Sequence, residues 1–521
     1  MSGRLAEPDD ILPRDFATVA ELVRAHARTR PQQTALMQHG RTLDYAALDR
    51  WADRIAAALQ RDQVRPRGSI AIGAATSIDY VAIFLGGLRA GVAVAPLPVS
   101  ADARILAAMT ADAAAQILFL DRSTSEAWAE SGQRAAARII VVDDAGPLGL
   151  QRWMTAQDSV PAAVDVQPDW PFNIIYSSGT TGVPKGIVQP HAFRWSNVQR
   201  ARMNGYGPTS ITLLATPLYS NTTLATLFGA LAAGGTVVLM RKFTAADYLA
   251  LAQQCRATHT VLVPVQYQRL LAEKTFDTVD LQSFQMKFST GAPFPPALKQ
   301  EVLRRWPGGL IEIYGMTEGG GACLLEAHKH PDKLHTVGRP LPRNELRLID
   351  AADREVAGGT SGEIVGRSPA MMTCYLNQPV KTREAEWHDA AGRRFIRSGD
   401  IGCLDADGFL VLLDRKKDMI ISGGFNVYPS DLEAVLREHP AVEEAAVVGM
   451  ASARWGETPV ACVVLKAGAE VDAVQLTAWA NARLGKTQRI DSVTIMSRLP
   501  RNGAGKVLKG ELKGELRDAL S

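Results

Sequence analysis

Apolar positions follow two spacings along most of the chain. Short runs rich in Val, Ile and Leu recur as "SIAIGAA", "GVAVAPLPV", "AQILFL", "RIIVVDD", "NIIYSS", "ITLLATP", "GGTVVLM", "HTVLVPV", "MKFSTGA" and "LIEIYGMTE". Runs this short, bounded by Gly, Pro or Asp, read as strands. Between them, "DYVAIFLGGLRA", "TLATLFGALAA" and "AADYLALAQQCRA" place apolar residues at helical intervals. Two further amphipathic helices precede the first run, in "FATVAELVRAHARTRP" and "LDYAALDRWADRIAAAL". The alternation predicts an α/β fold with mostly parallel sheets covered by helices.

The rhythm breaks after about residue 335. "TVGRPLPRNELRLID", "SGEIVGRS" and "GDIGCLDADGFLVLLDR" read as short antiparallel strands joined by Gly and Asp turns, a small barrel-like addition to the large domain. A charged turn, a strand, a glycine turn and a helix follow in "DRKKDMIISGGFNVYPSDLEAVLREHP". The remainder has the size of an independent α+β domain. The boundary is placed at Asp414–Lys417, giving an N-terminal domain of 1–414 and a C-terminal domain of 415–521. A chain of 521 residues exceeds one ordinary core, which agrees with two domains.

Composition excludes several classes. A formal charge of +3 gives no electrostatic case for nucleic acid or an anionic membrane as partner. The five cysteines (Cys255, Cys323, Cys374, Cys403, Cys462) are scattered, without CxxC or metal-ligand spacing. Reduced thiols in a cytoplasmic compartment are expected. The segment "MSGRLAEPDDILPRDF" lacks a basic-then-apolar signal pattern. The most apolar stretches are broken by Asp79, Arg89, Asn221 and paired glycines, so no membrane span is expected.

Candidate chemistry begins at "YSSGTTGVPKG", residues 176–186. Glycines let backbone N–H groups approach oxygens, hydroxyls add donors, and Lys185 adds a point charge. The composition suits a polyphosphate, but the Walker A spacing is absent. The segment resembles the signature loop of the adenylate-forming superfamily, which includes acyl-CoA synthetases, peptide-synthetase adenylation domains and firefly luciferase; every position matches. The resemblance implies that Ser177, Ser178, Gly179, Thr180, Thr181, Gly182 and Lys185 hold the ATP phosphates that leave as pyrophosphate.

Five more segments resemble parts of the same family, in the same order along the chain. In "YGMTE", Tyr314 would pack on adenine beside Gly315 and Met316, Thr317 would touch the α-phosphate, and Glu318 would help hold Mg²⁺. "STGAP" would line adenine and the acyl pocket with Gly291, Ala292 and Pro293. In "RSGD", Asp400 would accept bonds from the ribose hydroxyls. "DRKKDMIISGGFNVYPSDLE" resembles the hinge segment, with Arg415 on ribose or phosphate and Lys417 at the pivot. "PRNGAGK" supplies Lys506, which would reach the carboxylate and α-phosphate oxygens. The resemblance covers essentially the whole chain and implies an AMP-forming acid–CoA ligase using ATP, Mg²⁺ and CoA, with a mobile C-terminal domain.

On the CoA side the resemblance implies Ser422, Gly423 and Gly424 along a pantetheine tunnel. Trp455, in "RWG", would lie near the CoA adenine or in the core. Lys486 and Arg489 stand near CoA-phosphate contacts of relatives, although "GKTQRI" departs from the family's Lys-x-Pro.

For the acid, "PLYSN" places Ser220 where many relatives carry His, and no acidic residue follows to pair an amino group. Tyr219, Ser220, Asn221, Thr222 and Gln266 make part of the lining polar, while Gly319, Gly320 and Gly321 leave one wall open. Arg194 and Arg269 are read as surface residues, so no second cation faces the acid. The expected substrate is a neutral, medium-chain, hydroxylated or aromatic acid. A carrier-protein loading enzyme and a non-catalytic nucleotide-binding relative are the alternatives. A homodimer is compatible with these features.

Overall fold

The computed structural model describes residues 6–177, 185–416, 418–422, 425–452, 454–485, 488–501 and 507–520. Ser178, Gly179, Thr180, Thr181, Gly182, Lys417, Gly423, Gly424, Lys486 and Lys506 therefore lie outside the described residues. The fold is α/β with mixed sheets, a large N-terminal part and a small C-terminal part. Internal contacts group Met1–Leu334, Leu341–Glu345 and Arg367–Ile396 into one unit. His335–Pro340, Leu346–Gly366 and Arg397–Ser521 form the other.

All ten runs expected as strands in the first unit are strands. One sheet carries, in spatial order, Cys323–Glu326, Gly309–Tyr314, Met286–Ser289, His259–Leu262, Ile211–Leu214, Thr236–Leu239, Thr34–Gln38 and Arg41–Asp44. The strands from Gly309–Tyr314 to Thr34–Gln38 pair parallel, while Cys323–Glu326 and Arg41–Asp44 pair antiparallel with Gly309–Tyr314 and Thr34–Gln38. A seven-stranded sheet runs Cys374–Tyr375, Lys185–Pro190, Pro171–Ser177, Ala93–Pro96, Ser69–Gly73, Ile117–Leu120 and Arg138–Val141. Here the phosphate-loop segment departs from the parallel pattern. Pro171–Ser177 and Lys185–Pro190 pair antiparallel, with Ser177 opposite Lys185, so the loop joins two strands of a hairpin.

The helices form where their ends are capped and their apolar faces can be buried. The Asp44 carboxylate accepts from the Ala47 N–H at 2.7 Å and starts Tyr45–Arg61. The Ser77 hydroxyl accepts from the Tyr80 N–H at 3.1 Å and starts Ile78–Arg89. Such caps satisfy donors that the first helical turn leaves free. These two helices approach closely at Gly86, where a Cβ would lie 2.5 Å from the Ile55 methyl. Between the sheets Phe84, Phe172 and Phe228 meet at centroid separations of 5.1 to 5.8 Å. This aromatic triad sits in the main apolar core.

In the second unit, Asp400–Leu404 pairs antiparallel with Leu410–Arg415. The C-terminal sheet orders Phe425–Val427, Ile420–Ser422, Gly456–Leu465 and Val442–Ser452, with Ser492–Ile495 parallel to Gly456–Leu465. Alternate residues of Val442–Ser452 serve two cores, as the pleat requires. Ala445 and Val447 pack among Leu432, Leu436 and Leu476, whereas Ala446 and Val448 pack with Leu512 and Leu516. Among the described residues, no helix is long and apolar enough to cross a membrane.

Candidate active site

Four neighbouring parallel strands of the first sheet end on the same edge. Ile211–Leu214 leads to Tyr219, Ser220 and Asn221; His259–Leu262 leads to Gln266; Met286–Ser289 leads to Gly291, Ala292 and Pro293; Gly309–Tyr314 leads to Gly315, Met316, Thr317 and Glu318. Ligands of open α/β sheets bind beyond the carboxyl ends of such strands. Parallel pairing thus gathers segments separated by about a hundred residues. Gly291 and Pro293 are exposed there, and Tyr314 and Thr317 half-buried.

The hairpin joins this edge through a residue that sequence reasoning missed. The Tyr375 hydroxyl donates to Glu318 Oε1 at 2.8 Å, and Lys185 Nζ lies 5.1 Å from the centre of the Tyr375 ring. Burial, reinforced by the neighbouring Glu318 carboxylate, pushes the phenol well above its ordinary value, so it remains a donor. A second link runs from Gln189 Nε2 to the Thr317 carbonyl at 2.7 Å. Lys185, Thr317 and Glu318 are therefore brought together by Gln189 and Tyr375.

The turn after Glu318 is held by close backbone packing. The Met372 N–H donates to the Glu318 carbonyl at 2.7 Å, and the Gly320 N–H to the Ala370 carbonyl at 2.9 Å. Gly319 has φ +75°, and a Cβ there would lie 2.0 Å from the Ala370 oxygen and 2.7 Å from the Phe193 ring. This corrects the open wall expected at Gly319: the space is filled by backbone and an aromatic edge. Gln266 is also not a free pocket group. Its carbonyl accepts from the Val263 N–H at 3.1 Å and its amide donates to the Ala215 carbonyl at 3.2 Å, capping its own helix.

Arg194 is the larger correction. It is 1% exposed, not a surface residue. Helix His191–Ala201 buries His191, Arg194, Trp195, Val198 and Ala201 along one face, and Phe193 off that face as well. Arg269 is exposed, as expected. Arg194 Nη2 donates to Gln189 Oε1 and Asn221 Oδ1, both at 2.9 Å, and more weakly to Asn173 Oδ1 at 3.3 Å.

In the second unit, Asp400 and Arg415 stand opposite each other across the hairpin and form an ion pair of 2.6 Å. Ser422 pairs with Gly456, next to Trp455. Trp455 is 46% exposed, which removes the core alternative. The Arg454 guanidinium lies 4.6 Å over its ring.

A family model described as AMP-binding enzyme matches residues 23–376, and one described as AMP-binding enzyme C-terminal domain matches 431–506. The chain belongs to the adenylate-forming superfamily. Among its relatives, feruloyl-CoA synthase of Amycolatopsis sp is 33% identical over 490 residues, spanning 94% of this chain and 96% of that protein. Indoleacetate–CoA ligase of Aromatoleum aromaticum is 33% identical over 513 residues, spanning 95% and 97%. The solved o-succinylbenzoate–CoA synthetase of Bacillus subtilis, in complex with its acyl-adenylate, aligns with TM-score 0.81 at 28% identity, covering 94% of this chain and 97% of that one.

This adenylate-forming enzyme is an AMP-forming acid–CoA ligase, and its substrates are a small carboxylic acid, ATP and CoA. Among the described residues, no group of three His, Cys, Asp or Glu side chains could hold a metal. A lone Glu318 carboxylate still fits Mg²⁺, which typically takes one or two protein carboxylates and completes its shell with phosphate oxygens and water.

Proposed function

We propose that this ligase activates an aromatic or hydroxylated acid of medium size, neutral beyond its reacting carboxylate. The relatives named for feruloyl and indoleacetyl thioesters support an aryl acid. Half-buried Tyr219, Ser220 and Asn221 offer mixed polar and aromatic lining. Arg194 is sealed from solvent, so it offers no receptor for a second carboxylate.

In this reading a carboxylate oxygen attacks the α-phosphorus of ATP, and the bond to the bridging oxygen of the β-phosphate breaks. Residues 177–182 and Lys185 hold the departing pyrophosphate. Tyr314, Gly315, Met316 and Gly291–Pro293 hold adenine, Asp400 and Arg415 the ribose, and Thr317 the α-phosphate. Lys506 offsets repulsion between the acid and the polyphosphate; fixed charge of this kind lowers the barrier without a side-chain nucleophile. Glu318 would hold Mg²⁺, which when bound supplies positive charge to phosphate oxygens. CoA sulfur then attacks the acyl carbonyl, AMP leaves, and Ser422–Gly424 with Trp455 line the approach. The observation that carries the reading is the junction at Tyr375, which ties the phosphate-loop lysine to Glu318.

The functional boundary is proposed at 414/415, with Lys417 as the pivot. The two family matches leave it between 376 and 431. Replacing Lys417 by Pro is expected to slow thioester formation far more than adenylate formation, since a few terminal residues absorb such rotations. Equal loss in both half-reactions would count against the pivot.

Acid-dependent pyrophosphate exchange over a panel of aryl, hydroxy and alkyl acids tests the first step. Adding CoA and detecting AMP and thioester by mass tests the second. No exchange with any acid would overturn the site reading, and exchange with diacids alone would overturn the neutral-acid reading.

A further inference from the structure

Arg194 carries a charge that the protein does not neutralise. Among the described residues no carboxylate pairs with it, and the remaining residues contain no Asp or Glu side chain. Its three acceptors, Asn173, Gln189 and Asn221, are neutral amides that orient the guanidinium without cancelling its charge. Nε and Nη1 are buried with no hydrogen-bond partner, and the Phe172 and Phe193 rings lie 5.4 and 5.7 Å away. Burial lowers its pKa to about 9, so it stays protonated at neutral pH. A buried cation without a counter-charge is costly, and a nearby anion offsets that cost.

The placement says where the anion belongs. Asn173 lies on the strand entering the phosphate loop and Gln189 on the strand leaving it. Asn221 is the first residue of the helix that follows the acyl-side motif. Gln189 passes its second hydrogen bond to the Thr317 carbonyl. The guanidinium is thus two hydrogen bonds from the Thr317–Glu318 turn. Its own free edge is enclosed, so it acts through its field and through Gln189 rather than by touching a substrate.

We propose that Arg194 is a positioning residue of the adenylation site, whose uncompensated charge favours a nucleotide phosphate beside Thr317. This rests on the reading of Thr317 as the α-phosphate contact. It adds a source of charge that lies inside the fold, apart from Lys185 and Lys506.

AMP and adenosine separate charge from shape, because they differ by the phosphate alone. Calorimetric titration of each into the full chain, wild type and Arg194→Gln, is the test. An unscreened charge at this range changes affinity by about tenfold. Arg194→Gln is therefore expected to weaken AMP about tenfold while adenosine changes less than about twofold, and Arg194→Lys to recover most of the AMP affinity. Asn221→Asp places a carboxylate on the guanidinium without removing it. It should weaken AMP and spare adenosine, and it serves if Arg194→Gln does not fold. Equal weakening of AMP and adenosine, or no change in either, overturns the inference while the nucleotide site stands. A wild-type protein that binds neither overturns both.

Discussion

Two residues around Glu318 determine how firmly it is held. Removing the Tyr375 hydroxyl takes away a hydrogen bond to a charged group, worth about 1.5–3 kcal/mol. Tyr375→Phe is expected to lower acid-dependent pyrophosphate exchange about tenfold and to raise the Mg²⁺ needed for half-maximal rate, read from a metal titration. Gly319→Ala would force a Cβ against the Ala370 oxygen at an unfavourable φ. A loss of about 2–4 kcal/mol, measured by urea unfolding, is expected, with loss of exchange. Neither contact was legible in the sequence. Tyr375 sits on a two-residue strand whose partner is far away in the chain, so no local pattern announces it. Arg194 departs from the surface placement expected of an arginine, yet its position is legible: the 191, 194, 195, 198 spacing marks a buried face. A charge on an apolar stripe is the signal that residue-type preference obscured.

Among elements, the strands were legible because buried parallel strands read as continuous apolar runs. The hairpin around the phosphate loop was not, because "KGIVQP" carries buried Gln189 where an apolar residue would announce a strand. One element pair is joined by a buried ion pair. Lys299, on helix Pro296–Arg305, meets Glu312, on strand Gly309–Tyr314, and Lys299 also donates to the Leu334 carbonyl at 2.7 Å. Burial pushes Glu312 up to about 7 against the pull of Lys299. Lys299→Met leaves that carboxyl without its cation and should destabilise by about 3–5 kcal/mol. Lys299→Met with Glu312→Leu should recover most of it in the same urea titration. Because the strand ends at Tyr314, the single variant should also raise KM for ATP.

At the scale of the molecule, buried histidines shape the acid response. Burial lowers His191 to about 3 and His259 to about 4, and lowers His26 as well. Between their ordinary value and these folded values, the unfolded chain binds more protons. Stability should therefore fall as pH drops below about 6.5, by up to about 1.4 kcal/mol per pH unit per histidine. Melting temperatures between pH 7 and about 5 test this in Glu312→Gln, because the raised Glu312 carboxyl gains its proton in the same window and opposes the histidines; a flat profile in that variant would contradict neutral burial.

The nine tryptophans are distributed unevenly between surface and interior. Of these, Trp455 is exposed while the others are buried or half-buried, and a guanidinium lies over its indole. The segment proposed to face CoA thus carries an exposed indole. Iodide should quench its emission more strongly than caesium, since Arg454 attracts one ion and repels the other. Quenching of Trp455 by iodide with and without CoA tests the proposed thiol-substrate channel: protection by CoA is expected, and no change would count against that placement.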